Sequence, residues 1–191
     1  MTKGILLVGV GGQGIILISK ILATGLTEKG YDVKMSEIHG MSQRGGSVTT
    51  QIKYGSRVAA PNIGYEEADI IVSFEKIEAI RALPFLKKDG VLITDEFEIA
   101  PMSVLTGVSE YPHDILLSKA GIIPKLQVVK AAETAKKLGN IRAQNIVLLG
   151  SLVRMMKLDD VDWKSLIKRM VPPKSIELNL QAFEAGYQIE E

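Results

Sequence analysis

The chain has 191 residues, 23 basic against 22 acidic, with two histidines, no cysteine and 46% hydrophobic residues. That length suits one domain with a sizeable core, residues 1–191, and the near-neutral balance lacks the basic footprint of a nucleic-acid partner. Without cysteine these residues form no disulfide, offer no thiolate nucleophile and hold no cysteine-ligated iron–sulfur cluster.

In chain order, Ile5-Leu6-Leu7-Val8 is a wholly apolar run that reads as a buried parallel strand. Gly9-Val10-Gly11-Gly12-Gln13-Gly14 follows, then a helix with Ile15, Ile18, Leu22 and Leu26 on one face and Gly30 as its stop. Tyr31 to Ser36 predicts a second strand ending at Glu37, and His39 to Ser47 a polar loop with three glycines in nine residues. Val48 to Tyr54 alternates and is β-branched, so it predicts a strand that turns at Gly55-Ser56 into Arg57-Val58-Ala59, a hairpin. Asp69 to Phe74 predicts a further buried strand with Glu75 at its end, then a short helix from Lys76 to Leu83.

Asp89-Gly90 predicts a turn into a strand at Val91 to Thr94, and Val104-Leu105 another short strand. From Leu126 onward the spacing predicts helices. Val128, Val129, Ala132, Ala135 and Leu138 line the first, and Ile146, Leu149, Leu152, Val153 and Met156 a second that is apolar on several sides. Trp163, Leu166, Ile167 and Met170 define a third before Pro172-Pro173, and Lys174 to Ala185 a fourth. The expected fold is α/β: a Rossmann-like three-layer α/β/α arrangement with a mostly parallel sheet, a β-hairpin insertion and a helical C-terminal third. No run approaches the roughly 18 apolar residues of a membrane span. The N-terminal strand and glycine loop do not resemble a signal peptide, so a cytoplasmic protein is expected.

A strand, Gly-x-Gly-x-x-Gly and a helix form the context in which backbone N–H groups and a helix N-terminus receive an anion. Gly9, Gly11, Gly12, Gln13 and Gly14 are therefore candidate cofactor-binding residues, against the alternative of a tight turn that binds nothing. Ligands of an open parallel sheet bind outside the carboxyl ends of the strands, where the second loop also falls. That adds Glu37, His39, Gln43, Arg44, Gly45, Gly46 and Ser47.

Glu37, 23 residues after Gly14, sits where a dinucleotide fold places its ribose carboxylate, or is a solvated acid. Arg44 between polar residues and glycines suits a forked contact to phosphate or carboxylate, or a surface ion pair. His39 has an acid–base pKa near neutrality, or bonds the backbone. With only His39 and His113 no histidine-rich metal site is expected. No nucleophile, metal cluster or acid–base set can be placed, so no catalytic residue is assigned.

The pair Gly9-Val10-Gly11-Gly12-Gln13-Gly14 and Arg44-Gly45-Gly46 resembles the gamma subunit or domain of 2-oxoacid:ferredoxin oxidoreductases. The string Met35 to Val48, with Ala68-Asp69, Phe74-Glu75, Leu138-Gly139-Asn140 and Asn179 to Gly186, is closest to the indolepyruvate branch of that family. The sequence departs from the family pattern at Thr94-Asp95-Glu96, where related chains often carry asparagine. The resemblance implies a subunit, inactive alone, of an enzyme that oxidatively decarboxylates 2-oxoacids with coenzyme A to acyl-CoA, carbon dioxide and reduced ferredoxin.

It also implies that thiamine diphosphate and the iron–sulfur clusters lie on an alpha-type partner, with coenzyme A in a shared cleft faced by Gly11 to Gly14 and Arg44 to Ser47. Ferredoxin is then reached through the complex, with no nucleic-acid or membrane partner. Two other readings are open. One is a free-standing NAD(P)-binding oxidoreductase with Glu37 on ribose or Arg44 on a 2′-phosphate; the other is a nucleotide-sensing module.

Overall fold

The computed structural model describes residues 2–40 and 45–189. The strands are β1 (Lys3–Val10), β2 (Asp32–His39), β3 (Ser47–Gly55), β4 (Ala68–Ser73), β5 (Leu86–Asp95) and β6 (Lys125–Val129). The helices are α1 (Ile15–Glu28), α2 (Lys76–Ala82), α3 (Met102–Leu105), α4 (Ile115–Lys119), α5 (Ala131–Lys137), α6 (Gln144–Met156), α7 (Trp163–Met170) and α8 (Ile176–Tyr187). The strands form one six-stranded sheet in the order β2-β3-β1-β4-β5-β6. β1, β4, β5 and β6 pair in parallel, whereas β3 pairs antiparallel with both β1 and β2. β3 is therefore the one strand in the sheet that runs against the rest.

Alternation along β1 feeds two cores, as a strand buried on both faces requires. Ile5 and Leu7 join α1, α6, α7 and α8 in the larger core. Leu6 and Val8 face α2, Leu116 and Ile123 in the smaller one. Trp163 lies in the larger core with its indole N–H on the Leu158 carbonyl at 2.8 Å.

Every residue of α6 from Gln144 to Val153 is buried. Its apolar faces serve core packing, not an exposed interface. α8 crosses α6 so closely that a Cβ on Gly186 would overlap the Val147 carbonyl, and one on Gly150 the Phe183 carbonyl. Only glycine permits that approach.

The α/β architecture with helices on both faces matches expectation, but four local readings change. The hairpin is β2–β3, closed through the segment between His39 and Ser47, and Arg57-Val58-Ala59 form no strand. Asp89-Gly90 lies inside β5 at a register shift against β4, not in a turn before it. Val104-Leu105 belong to α3 instead of a strand. Leu126 to Val129 form the edge strand β6, and the helix begins only at Ala131. There the spacing of Val129, Ala132 and Ala135 imitates a helical face across a strand–helix junction.

Gly186→Ala should destabilise the chain by about 1–3 kcal/mol, since a methyl group must push two backbones apart. A urea midpoint equal to wild type would show that α8 can move away freely.

Candidate functional site

The carboxyl ends of β1, β4, β5 and β6 point to one edge of the sheet, and the glycine turn lies there. In the β1–β3 register, Val10 faces Ser47. This delivers the end of the second loop directly onto the first: Gly11 N–H donates to the Gly46 carbonyl at 2.9 Å, and Gly45 N–H to the Gly11 carbonyl at 3.5 Å. Gly40 N–H donates to the Ser47 carbonyl at 3.0 Å, closing the second loop at its base. Gln43 and Arg44 lie outside the described residues.

The turn itself is stitched by Gln13. Its Oε1 accepts from Val10 N–H at 2.7 Å and its Nε2 donates to the Phe74 carbonyl at 2.8 Å. Gln13 is thus a latch between β1 and the end of β4. Gly14 enters α1 at φ 77°, a conformation that favours glycine, and a Cβ there would meet the Asn145 amide. Gly12 is exposed, and among the described residues a Cβ there would meet nothing within 4 Å, although its φ of 106° itself favours glycine.

Ser47 Oγ donates to Glu78 Oε2 at 2.6 Å, so that side chain ties the second loop to α2. Glu37 and His39 lie at the end of β2 with Glu37 Oε2 and His39 Nε2 4.0 Å apart. Because β3 lies between β2 and β1, Glu37 is two strand spacings from the strand that carries the glycine turn, roughly 10 Å. The edge therefore brings Gly11, Gln13, Gly45, Gly46 and Ser47 together and leaves Glu37 and His39 to one side.

Sequence reasoning gave no site role to four polar residues at this edge. Glu75 is 1% exposed and caps α2: its Oε2 accepts from Ile77 N–H at 2.7 Å and Glu78 N–H at 3.0 Å. Its Oε1 accepts from Ile99 N–H at 3.2 Å and from the Tyr111 hydroxyl. Burial and then the bond to Glu75 raise the Tyr111 pKa well above the phenolic range.

Asp95, 1% exposed, accepts from Ala131 N–H at 3.2 Å and Ala132 N–H at 2.8 Å, the start of α5. Gln144 Nε2 donates to Asp95 Oδ2 at 2.7 Å and to the Phe74 carbonyl at 3.0 Å. Asn145 Nδ2 donates to the Gly14 carbonyl at 3.1 Å. The signals available were an acid at a strand end before a helix, and two amides opening an otherwise apolar helix.

Burial raises the Asp95 pKa to about 6 against the bonds from Ala132, Gln144 and Ala131 that lower it. The acids at this edge also sort its helices. Glu75 fills the N-terminus of α2 and Asp95 that of α5, whereas α1 starts at Gly14 with no side-chain cap and no acid in its first turn. Among the described residues, no carboxylate offsets the partial positive charge at the start of α1.

An α/β fold with a strand-end edge made of two glycine loops, and with no nucleophile or acid–base pair set into it among the described residues, defines the class: a Rossmann-like module that presents backbone donors. Residues 4–189 match the pyruvate ferredoxin/flavodoxin oxidoreductase family, and the chain belongs to it. It is 37% identical over 187 residues to indolepyruvate oxidoreductase subunit IorB of Thermococcus kodakarensis, covering 95% of this chain and 93% of that protein. The IorB protein of Archaeoglobus fulgidus is 36% identical over 191 residues, 98% of this chain and 94% of that one.

The gamma subunit of a keto/oxoacid ferredoxin oxidoreductase from Geobacter sulfurreducens has the same fold, with TM-score 0.71 and 23% identity over 97% of this chain and 96% of that one. The 2-oxoglutarate:ferredoxin oxidoreductase of Magnetococcus marinus, solved with 2-oxoglutarate, coenzyme A and succinyl-CoA bound, shares the fold at TM-score 0.74 and 19% identity, over 97% of this chain and 30% of that one. Among the described residues, no helix is long and apolar enough to cross a membrane.

The raised Asp95 pKa makes stability depend on pH in a defined direction. The folded state holds this proton up to about pH 6 and the unfolded chain only to about 3.8. Its contribution is full below the lower value and is lost as pH rises through the upper one. The difference in unfolding free energy between wild type and Asp95→Asn should shift by about 2–3 kcal/mol in favour of wild type from pH 7 to pH 4. A difference that stays flat over that range would show that Asp95 titrates normally.

Proposed function

We infer that this chain, residues 1–191 as one gamma-type domain, is the small subunit of an indolepyruvate-class 2-oxoacid:ferredoxin oxidoreductase working in the cytoplasm. The enzyme oxidatively decarboxylates an arylpyruvate with coenzyme A, giving acyl-CoA, carbon dioxide and reduced ferredoxin. Family membership and the likeness to IorB proteins over nearly the full length of both chains support the assignment. Thiamine diphosphate and the iron–sulfur clusters belong to a larger alpha-type partner, which hands electrons to ferredoxin. The absence of any cysteine supports placing the clusters there.

The observation that carries the role of this chain is the acid-free N-terminus of α1 beside the joined glycine loops. Backbone N–H groups and a helix dipole suit the phosphates of coenzyme A, and an arginine suits them too. On this reading Gly11 to Gly14 and Arg44 to Ser47 face the shared cleft, and the chain binds and orients coenzyme A while the partner carries out the chemistry. Glu37 and His39 have no assigned contact. The dinucleotide alternative loses its ribose carboxylate, because β3 separates Glu37 from the turn.

The purified chain should show no 2-oxoacid oxidation by itself and should support it when mixed with the thiamine- and cluster-bearing partner. Turnover by the chain alone would refute the division of labour. In the assembled enzyme, Arg44→Ala should raise KM for coenzyme A roughly tenfold, as for loss of a charge-assisted contact, with KM for the 2-oxoacid little changed. An unchanged coenzyme A KM would remove Arg44 from the cleft.

A further inference from the structure

We propose that Gln144 and Asn145, the first two residues of α6, are positioning residues for coenzyme A use: they hold the Gly9–Gly14 turn in its working shape without touching the ligand. The inference rests on the reading that this turn faces coenzyme A in the assembled enzyme. Both amides are buried, 4% and 3% exposed, at the head of a helix whose next eight residues are also buried. Burying an amide costs free energy unless its groups are bonded. Apolar residues of the same size would serve core packing as well, so the bonds these two make are the reason to look for another role.

Those bonds clasp the turn at both ends. Asn145 Oδ1 accepts from Ile146 N–H at 2.9 Å, which turns Nδ2 toward the Gly14 carbonyl at 3.1 Å. That carbonyl also receives Leu17 N–H at 3.1 Å and Ile18 N–H at 3.4 Å, so it is the point where the turn becomes α1. At the other end, Gln144 Nε2 shares the Phe74 carbonyl with Gln13 Nε2, at 3.0 and 2.8 Å, and is itself held by Asp95 at 2.7 Å. Gln13 in turn holds Val10.

α6 is locked into the core by its backbone contact with α8 at Gly150 and Gly186. Its N-terminus is a fixed post against which the turn is set. Positioning groups of this kind keep binding donors within a fraction of an ångström of their working geometry.

The test uses the complex with its partner subunit. Asn145→Ala should raise KM for coenzyme A roughly tenfold, the effect of losing one hydrogen bond that orders the donors, while kcat and KM for the 2-oxoacid stay within about twofold. Gln144→Met, near-isosteric and uncharged, should do the same and serves as the measurement if Asn145→Ala does not assemble. Leu152→Ala, on the buried stretch of the same helix, controls for lost stability and should leave the coenzyme A KM alone.

Gly12→Ala in parallel reads the underlying function, because a side chain at φ 106° disturbs the turn directly. If it raises the coenzyme A KM and the α6 variants do not, the positioning role is overturned while the site stands. If all three leave it unchanged, both fall. A rise in both KM values no larger than in Leu152→Ala would also overturn the positioning role.

Discussion

The edge that carries the glycine loops depends on where β3 lies. In an uninterrupted βαβ unit, β2 would pair with β1, and the acid ending β2 would stand beside the glycine turn. Here β3 occupies that place and runs the other way, so its beginning, not its end, meets the end of β1. Antiparallel pairing puts Ser47 opposite Val10, and the bonds between Gly11 and Gly45-Gly46 follow from that register. The same insertion moves Glu37 and His39 one strand further out. One reversed strand thus changes a dinucleotide-like edge into one built from two loops.

A second constraint is the allocation of carboxylates. Three acids near this edge are almost fully buried, with Glu75 and Asp95 1% exposed and Glu78 5%. A buried carboxylate is tolerated only when its oxygens are supplied with donors. Glu75 and Asp95 find them at the starts of α2 and α5, and Glu78 finds Ser47 and Arg81. The helix N-termini consumed in this way cannot serve an external anion. α1, with glycine at its start and no acid in its first turn, is left uncapped by the described side chains. On the proposed reading, the choice of binding helix is made as much by what fills the others as by the glycines of the first.

Much of this could be read from the residues in order. The apolar run before Gly9, the helical spacing behind Gly14 and the buried run at Asp69 to Phe74 each carry their own period, and each element forms there. What failed was pairing and junctions. The partner of β3 is set by sheet order, which no local pattern encodes, so Arg57 to Ala59 looked as good as β2. β6 has five residues and passes through Lys130 straight into α5, and its apolar spacing continued as if helical.

The site was half legible for a related reason. Glycine turns are local, and both loops stood out. Glu75, Asp95, Gln144 and Asn145 come from three stretches of chain, and only the fold shows that Asp95 and the two amides meet behind one turn.

That inner layer also bears on the proposed division of labour. Gln13, Ser47, Glu75, Asp95, Gln144 and Asn145 are the polar side chains packed behind the loops, and each already serves another protein group. They brace the edge from within rather than direct a proton or electron pair outward. Among the described residues, what the two glycine loops present is chiefly backbone, at Gly12 and the start of α1. Backbone N–H groups orient an anion and stabilise charge, but they neither take a proton nor carry an electron. With no cysteine in these residues to hold a cluster, the proposed reading has such an edge complete a reaction centre carried on another surface.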